Sequence, residues 1–457
     1  MRPFFLSFLI CLGVSFFRNP SLFTHPLLWW DDRIIFSQFQ GGAGGLLLVY
    51  PDYVPVASNV IYVISFAVLP LTLVPFGLMA FSVLFHCSAL AFFGHRMFSV
   101  VLPDDWQRIA LVALIAVMPL STGILMTSPA FQNWSGLLVA SLLSALLATS
   151  AWSGAAVRVR LWTLPLTTVC FLAHPLAVLL LPLHVLAAGL GWRRRDYRLV
   201  GDAAVLGGLA IIAAVWGLMM PKGPEFTGTA TTMLWDVLWK TPLYAIDRGF
   251  GSGLIGSELR TAIIGQAVGM GNGSAPGLWY AACALLLLLL AWLAWRRLAK
   301  AEGVFVGALA FIILALSFLV LASNASIRHI PAETFLLKAA RYWYLQQVFS
   351  LLAVGMVVLA WVRTAPKTRT VGVAVAAMLL THLANIDDHI RYARRSLAGD
   401  AAGDPTAEAT AQRAFLEQAE AARRAGVACI EQSDEHPAPH LRLTLKPGAA
   451  LQDCVRY

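Results

Sequence analysis

The chain has 457 residues, 59% of them hydrophobic and only 12% charged, with a mean hydropathy of +0.72. Soluble globular chains carry about 25% charged residues, so the composition excludes water as the main solvent. The net charge of +9 does not mark a nucleic-acid binder either, because the basic residues fall in short clusters between apolar runs rather than on one face.

Taken in chain order, Met1-Arg2 and the apolar run Phe4 to Phe17 have the outline of a signal peptide. The sequence Phe17-Arg18-Asn19-Pro20 offers no small-residue cleavage site, and the run reads as an uncleaved first helix. A polar loop over 18–58 follows. Asn59 to Phe93 is expected to cross once, after an interfacial helix that breaks at Pro70 or Pro75; two further crossings or one fewer stay open. The apolar run Leu161 to Gly191 is broken at His174-Pro175. It reads as two short half-spans, since proline removes a backbone hydrogen bond that lipid cannot replace. Helices are expected near Ala203 to Met220, Leu278 to Trp295, Val304 to Ala322 and Val371 to Ala384.

Short loops rich in lysine and arginine stay cytoplasmic. The densest are Arg193 to Arg195 with Arg198, Arg296-Arg297 with Lys300, and Arg363 with Lys367 and Arg369. They thread the chain as an all-α polytopic membrane protein with about eleven crossings, in a range of ~10–13. The N-terminus is inside, the C-terminus outside, and the loops 126–135, 221–276 and 323–340 are external. The transmembrane module covers 1–386. After it, 387–457 reads as a small external α/β-like region. Asp404-Pro405 starts a helix over Ala407 to Ala425, Gly426 stops it, and strand-like runs follow at Val427 to Ile430 and Leu441 to Leu445. Cys429 and Cys454 lie in this region and could pair in an oxidising compartment or stay as two free thiols. The other four cysteines sit in apolar runs, and the chain has no C-x-x-C pair.

The first loop carries the most chemistry: Trp29-Trp30-Asp31-Asp32-Arg33, Ile34 to Phe36, four glycines, then Tyr50-Pro51-Asp52-Tyr53. Adjacent carboxylates at the headgroup level raise one another's pKa by like-charge repulsion and partial burial, which suits a general base. The alternative is that Asp31 and Asp32 cap a helix beginning near Arg33. In the loop 221–276, Trp235, Asp236, Trp239, Asp247 and Arg248 suit a sugar, or form an amphipathic helix over Thr231 to Asp247 lying on the bilayer. The run Gly249 to Gly256 lacks Gly-Lys-Ser/Thr, so it is no P-loop. His174 lines a polar cavity or is satisfied by a backbone carbonyl. His86 reads as structural, and Asp387-Asp388-His389 as a helix cap.

These positions resemble the GT-C type of integral membrane glycosyltransferase, which uses lipid-linked sugars. Its pattern is a first helix, a long first external loop opening on acidic residues, then a bundle with broken helices. Asp31-Asp32-Arg33-Ile34-Ile35-Phe36 and Tyr50 to Tyr53 are similar to the first-loop motif of a bacterial group of this type. Thr127 to Trp134 is similar to its Thr-Asn-x-Gln-Trp turn, and Arg341-Tyr342 to its Arg-Tyr before a late helix. The match departs at Ser128-Pro129, where the pattern has asparagine, and at Ser58-Asn59, where it has arginine.

The resemblance implies a bacterial inner-membrane enzyme acting on the external face. Its donor is a polyprenyl-phosphate sugar and its acceptor an envelope glycan or lipid. Asp31 or Asp32 would be the base; Arg328, His329, Lys338 and Arg341 would receive the donor phosphate. Trp30, Arg33, Tyr53, Gln132, Trp134, Tyr342 and His174 would contact substrate. Snorkelling near a helix end is the competing role for Lys338 and Arg341. A divalent cation, Mg or Mn, between the two aspartates stays open, because carboxylates alone do not select one. Two other readings fit the class of chain: a transporter or flippase for a lipid-linked or small solute, and a non-catalytic membrane scaffold.

Overall fold

Segments this apolar must close their backbone hydrogen bonds internally when lipid surrounds them, and the chain folds as a helical bundle. The computed structural model describes residues 2–18, 54–117, 128–154, 164–219, 230–255, 275–323, 340–364, 405–427, 429–431, 442–444 and 454–456, with single positions at 23, 26, 28, 35, 46 and 260. At some helix positions, including 231–236 and 341–343, only the backbone is described.

Helix α1 covers Arg2–Arg18. α2 (Val56–Val68) ends at an extended Leu69 before Pro70. A 3-10 turn, Leu71–Leu73, leads into α3 (Val74–Ala91), which carries Pro75 in its first turn, where a missing N–H costs nothing. Further 3-10 turns extend α3 to Val100. α4 is Asp105–Val117, and α5 is Gln132–Ser153, closed by Gly154 in the left-handed region. α6 (Leu164–Leu172) stops before His174, and a 3-10 stretch, Pro175–Leu180, runs into α7 (Leu181–Arg193). α8 is Tyr197–Met219 and α9 is Ala230–Tyr244. α10 is Ala275–Arg297, α11 Lys300–Ser323 and α12 Ala340–Thr364.

Among the described residues, 7 segments are long and apolar enough to cross a membrane: 71–100, 129–153, 175–193, 197–217, 277–297, 300–322 and 344–363. The protein is therefore a multi-pass α-helical membrane protein. The expected pair of half-spans over 161–191 is corrected in its second arm. Only α6 is short, and the return from Pro175 to Arg193 is a full 19 residues, because Pro175 and Pro182 sit in first turns where neither breaks a ladder. The predicted last helix, Val371 to Ala384, lies outside the described residues.

α5 is the hub, with 100% of its apolar window buried, against 6% for α10 on the lipid-facing rim. The reason is composition. Lipid tails are as apolar as leucine, so membrane helices associate through close packing of small residues. α5 offers Ser135, Gly136, Ala140, Ser141, Ser144, Ala145 and Ala148, all buried. A Cβ at Gly136 would stand 2.6 Å from the Cβ of Ala173. His184 of α7 and Ser144 of α5 bond at 2.9 Å.

The two ends of the bundle differ in chemistry. One is basic: Arg194 donates to the carbonyls of Ala151 and Trp152, and Arg363 to Glu302 at 2.5 Å. Exposed Trp192, Tyr197 and Trp295 form an aromatic belt there. α1 starts at this end, since Gly94 packs against Ser7 and the Pro3 carbonyl.

The C-terminal region sits at the opposite end. Helix α13 (Pro405–Arg424) is followed by β1 (Cys429–Glu431), β2 (Arg442–Thr444) and β3 (Cys454–Arg456), in sheet order β2-β1-β3. β1 pairs antiparallel with β2 and parallel with β3, the third strand being one that the alternation pattern misses. Gly426, with φ 79, ends α13 as expected. Cys429 is disulfide-bonded and faces Cys454 across the β1/β3 register. Phe415, Leu416, Ala419 and Ile430 pack on Leu28, Ile35, Tyr62, Leu71 and Leu78, so this region is docked on the first loop and on the start of the second span. Cys429→Ser is expected to lower the stability of the docked unit by about 3 kcal/mol. Amide exchange over 405–456 in the intact protein should then quicken roughly hundredfold, and unchanged exchange would refute a stabilising cross-link.

Candidate functional site

At the end opposite the basic loops, α10 begins, α11 ends and α12 begins. The chain over 230–255 inserts between them. Val237 and Tyr244 pack on Val320 and Leu321, and Gly249 lies against Ile313, Gln346 and Ser350. Ile313 is ten residues short of the end of α11 at Ser323, a depth of roughly 15 Å at 1.5 Å per residue. The expected helix lying flat on the bilayer over 231–247 is thus corrected. Lys240 and Trp239 stay accessible as a cation–ring pair at 5.3 Å, but Asp247 is 0% exposed.

The local sequence explains the insertion. Pro242 cannot donate to the helix ladder, and beyond it the backbone widens into a π-helix, Ala245–Gly251, before one more helical turn, Ser252–Ile255. Such widened turns recur at functional sites. Glycines then admit the neighbours: a Cβ at Gly249 would lie 3.1 Å from the Cβ of Gln346, and one at Gly251 2.8 Å from the Trp279 ring. The glycine run is a packing device against α10 and α12. Gly251→Ala should push Trp279 aside and cost about 1–3 kcal/mol. Thermal unfolding of the detergent-solubilised variant at the wild-type temperature would count against it.

Asp247 is the hub of this insertion. Arg260 donates from Nε to Oδ1 at 2.8 Å and from Nη2 to Oδ2 at 2.5 Å; the Trp279 indole donates to Oδ1 at 2.7 Å. Arg248 Nε stands 3.2 Å from Oδ2. Ser252 donates its hydroxyl to the Asp247 carbonyl at 3.1 Å, fixing the π-turn. Among the described residues, nothing hydrogen-bonds the buried Arg260 Nη1 or either polar side-chain atom of Gln346. Buried groups of that kind cost ~1–3 kcal/mol each and are rare in native proteins.

A second polar group lies at the same end, between α2, α5 and the α6/α7 break. Ser58 donates to the Pro129 carbonyl at 2.6 Å and to Asn133 at 3.1 Å, and Gln132 donates to the Ser128 carbonyl at 3.1 Å. The Trp134 and His174 rings meet at 4.7 Å, tilted by 45°. His174 accepts from the Leu176 N–H at 3.2 Å and so caps the restarted chain. His86 bonds Ser135 at 2.9 Å, and its ring lies 5.7 Å from that of Tyr344.

Of the residues singled out from the sequence, Trp134 and His174 are brought together, and Gln132 shares the first turn of α5 with Trp134. Gln132 and Trp134 belong to the buried first turn of α5 rather than to an external turn over 126–135, because Pro129 starts the helix three residues earlier. Arg341 and Tyr342 lie in the first turn of α12, where only the backbone is described. Trp30, Asp31, Asp32, Arg33, Tyr53, Arg328, His329 and Lys338 lie outside the described residues. Leu28 and Ile35, either side of the two aspartates, are both buried, and Leu28 is held at its N–H and carbonyl by the Gln412 side chain, at 3.0 and 3.3 Å.

Sequence reasoning missed Arg260, Gln346 and Gln412. Aspartate and arginine thirteen positions apart across a glycine run give no periodic signal, and a glutamine in an apolar helix reads as incidental. Among the described residues no three histidine, cysteine, aspartate or glutamate side chains stand close enough to share a metal ion.

What fold and site define together is a polytopic α-helical membrane protein with two buried polar clusters, around Asp247 and around Ser58, at the end opposite its basic loops. No protein-family model, curated protein or solved structure matches the chain.

Proposed function

We propose that this protein is a membrane glycosyltransferase that moves a sugar from a polyprenyl-phosphate donor to an envelope glycan or lipid acceptor on the external face. The observation that carries the reading is the pair of buried polar clusters, around Asp247 and around Ser58, at the end of the bundle where Leu28 and Ile35 are buried on either side of Asp31 and Asp32 in the sequence. That end faces outward because the opposite one carries the arginine clusters. A bonded Cys429 at the same end suits an oxidising compartment. The chain leaves the basic end at Thr364 and is next described from Pro405 at the opposite end, which accords with an eleventh crossing near 371–384.

In this reading one of Asp31 and Asp32 takes the acceptor hydroxyl proton. The oxygen attacks the anomeric carbon, the bond from that carbon to the phosphate oxygen breaks, and lipid phosphate leaves with the electron pair, inverting the configuration. Arg341, on the helix that carries Gln346, is one cation for the departing phosphate, with Lys338, Arg328 and His329 before it in the chain. No step requires a metal; Mg or Mn, if it assists, would have Asp31 and Asp32 as its oxygen ligands. A deletion strain should lack one sugar from its envelope glycans, and wild type should restore it. An unchanged glycome in the deletion overturns the proposal.

One observation favours a second reading. A helix break at His174 together with an inserted, widened helix resembles the interrupted helices of transporters. Uptake or flipping of a labelled lipid in reconstituted vesicles, with no sugar transfer, would favour that reading.

A further inference from the structure

We propose that Gln412 is a positioning residue for the first loop: by clamping the backbone at Leu28 it sets the place of Asp31 and Asp32, which makes the C-terminal region part of the transfer site. The role of the two aspartates rests on the glycosyltransferase reading; the clamp rests on the contacts alone.

Helix α13 has one apolar side. Its inward stripe is Gln412, Phe415, Leu416, Ala419 and Ala422, all buried, while Arg413, Glu417 and Arg423 are exposed. A glutamine on such a stripe costs free energy unless its amide is bonded, and this one spends both polar atoms on a single residue of the first loop. The Leu28 N–H donates to Oε1 at 3.0 Å, and Nε2 donates to the Leu28 carbonyl at 3.3 Å. The amide thus stands where a neighbouring strand would. Both partners are buried, Gln412 at 4% exposure and Leu28 at 1%, so water does not readily replace either bond.

Two further contacts hold the same loop. Ile35 is buried in the cluster that Phe415, Leu416 and Ile430 share with Leu28, and Asn59 of α2 donates to the Leu46 carbonyl at 3.1 Å. Asp31 follows Leu28 by three residues and Asp32 precedes Ile35 by three, so each is tied within roughly 10 Å of a held position. Apolar packing at Ile35 is non-directional; the paired hydrogen bonds at Leu28 fix the direction of the backbone as well. A general base must lie within hydrogen-bond reach of its proton, and a misplacement of about 1 Å costs on the order of a hundredfold in rate. Gln412 acts on the reaction through the loop, not by touching substrate.

Gln412→Met keeps the length of the side chain and the apolar stripe but removes both hydrogen bonds. In the full-length chain in phosphatidylcholine nanodiscs, amide exchange over residues 23–36 should quicken roughly tenfold, while exchange over 413–424 stays as in wild type. Gln412→Leu serves as the second variant should methionine disturb α13. With the polyprenyl-phosphate form of the sugar that the deletion strain lacks, kcat should fall roughly 10- to 100-fold at unchanged donor KM. Added to the slower of Asp31→Asn and Asp32→Asn, Gln412→Met should cost at most about twofold more, because it acts through that residue. Arg413→Ala, on the exposed side of the same helix, should change none of these. Unchanged exchange over 23–36 in both Gln412 variants overturns the clamp, whatever the reaction is. Quickened exchange with wild-type kcat overturns the positioning role, as does a raised donor KM at unchanged kcat or a further tenfold fall in the combined variant. An unchanged glycome in the deletion strain removes the glycosyltransferase reading and the positioning role with it; quickened exchange would then leave the clamp as a contact of the fold.

Discussion

Asp31→Asn or Asp32→Asn, expressed in a deletion strain, is expected to leave the envelope without the transferred sugar while the protein reaches the membrane at the wild-type level. Asparagine keeps the size and the capping oxygen of aspartate but cannot take a proton at neutral pH. A loss of general-base catalysis is worth about 10²–10⁴-fold in rate, enough to empty a glycan profile. The substitution also separates the two roles open to these acids. A cap tolerates asparagine as well as aspartate, so a purely structural pair would leave the profile intact. Both single variants restoring the full glycan profile would remove these residues from the mechanism. The anchors on either side make the test clean: Leu28 is held through its backbone by Gln412, and Ile35 is buried in the same cluster.

The second large effect falls on stability. Asp247→Ala should cost about 3–5 kcal/mol, because it strands buried Arg260 and the Trp279 indole donor inside the bundle. Replacing both partners with apolar residues, Asp247→Leu with Arg260→Leu, should recover most of that loss, since the desolvation cost of each charge then disappears with it. Unfolding in detergent, followed by intrinsic fluorescence, reports both. A single variant as stable as wild type would mean that the carboxylate is not the hub that its hydrogen bonds describe. A double variant as unstable as the single one would mean that the pair contributes packing rather than charge compensation.

Much of the architecture was legible because lipid leaves a chain few choices. Runs of about 20 apolar residues must be helices, and arginine clusters between them mark one side. Composition and spacing thus determined the membrane class, the break at His174-Pro175, the α13 helix with its Gly426 stop, and a basic end distinct from the other. His86 likewise read as structural and does bond Ser135.

Tertiary structure alone decided the rest. Whether Thr231 to Asp247 lies on the bilayer or enters the bundle is not written in its amphipathic pattern. It depends on gaps that the glycines of 249–253 leave against Gln346, Gln347 and Trp279, residues about 30 to 100 positions away. The pairing of Asp247 with Arg260 and Trp279, the docking of α13 on Leu28, and the meeting of Cys429 and Cys454 are likewise contacts at long separation. Hydrophobic periodicity records which side of a helix avoids water. Inside a membrane nearly every side does, so the pattern that reveals a helix falls silent about which neighbour it meets, and packing geometry settles the matter.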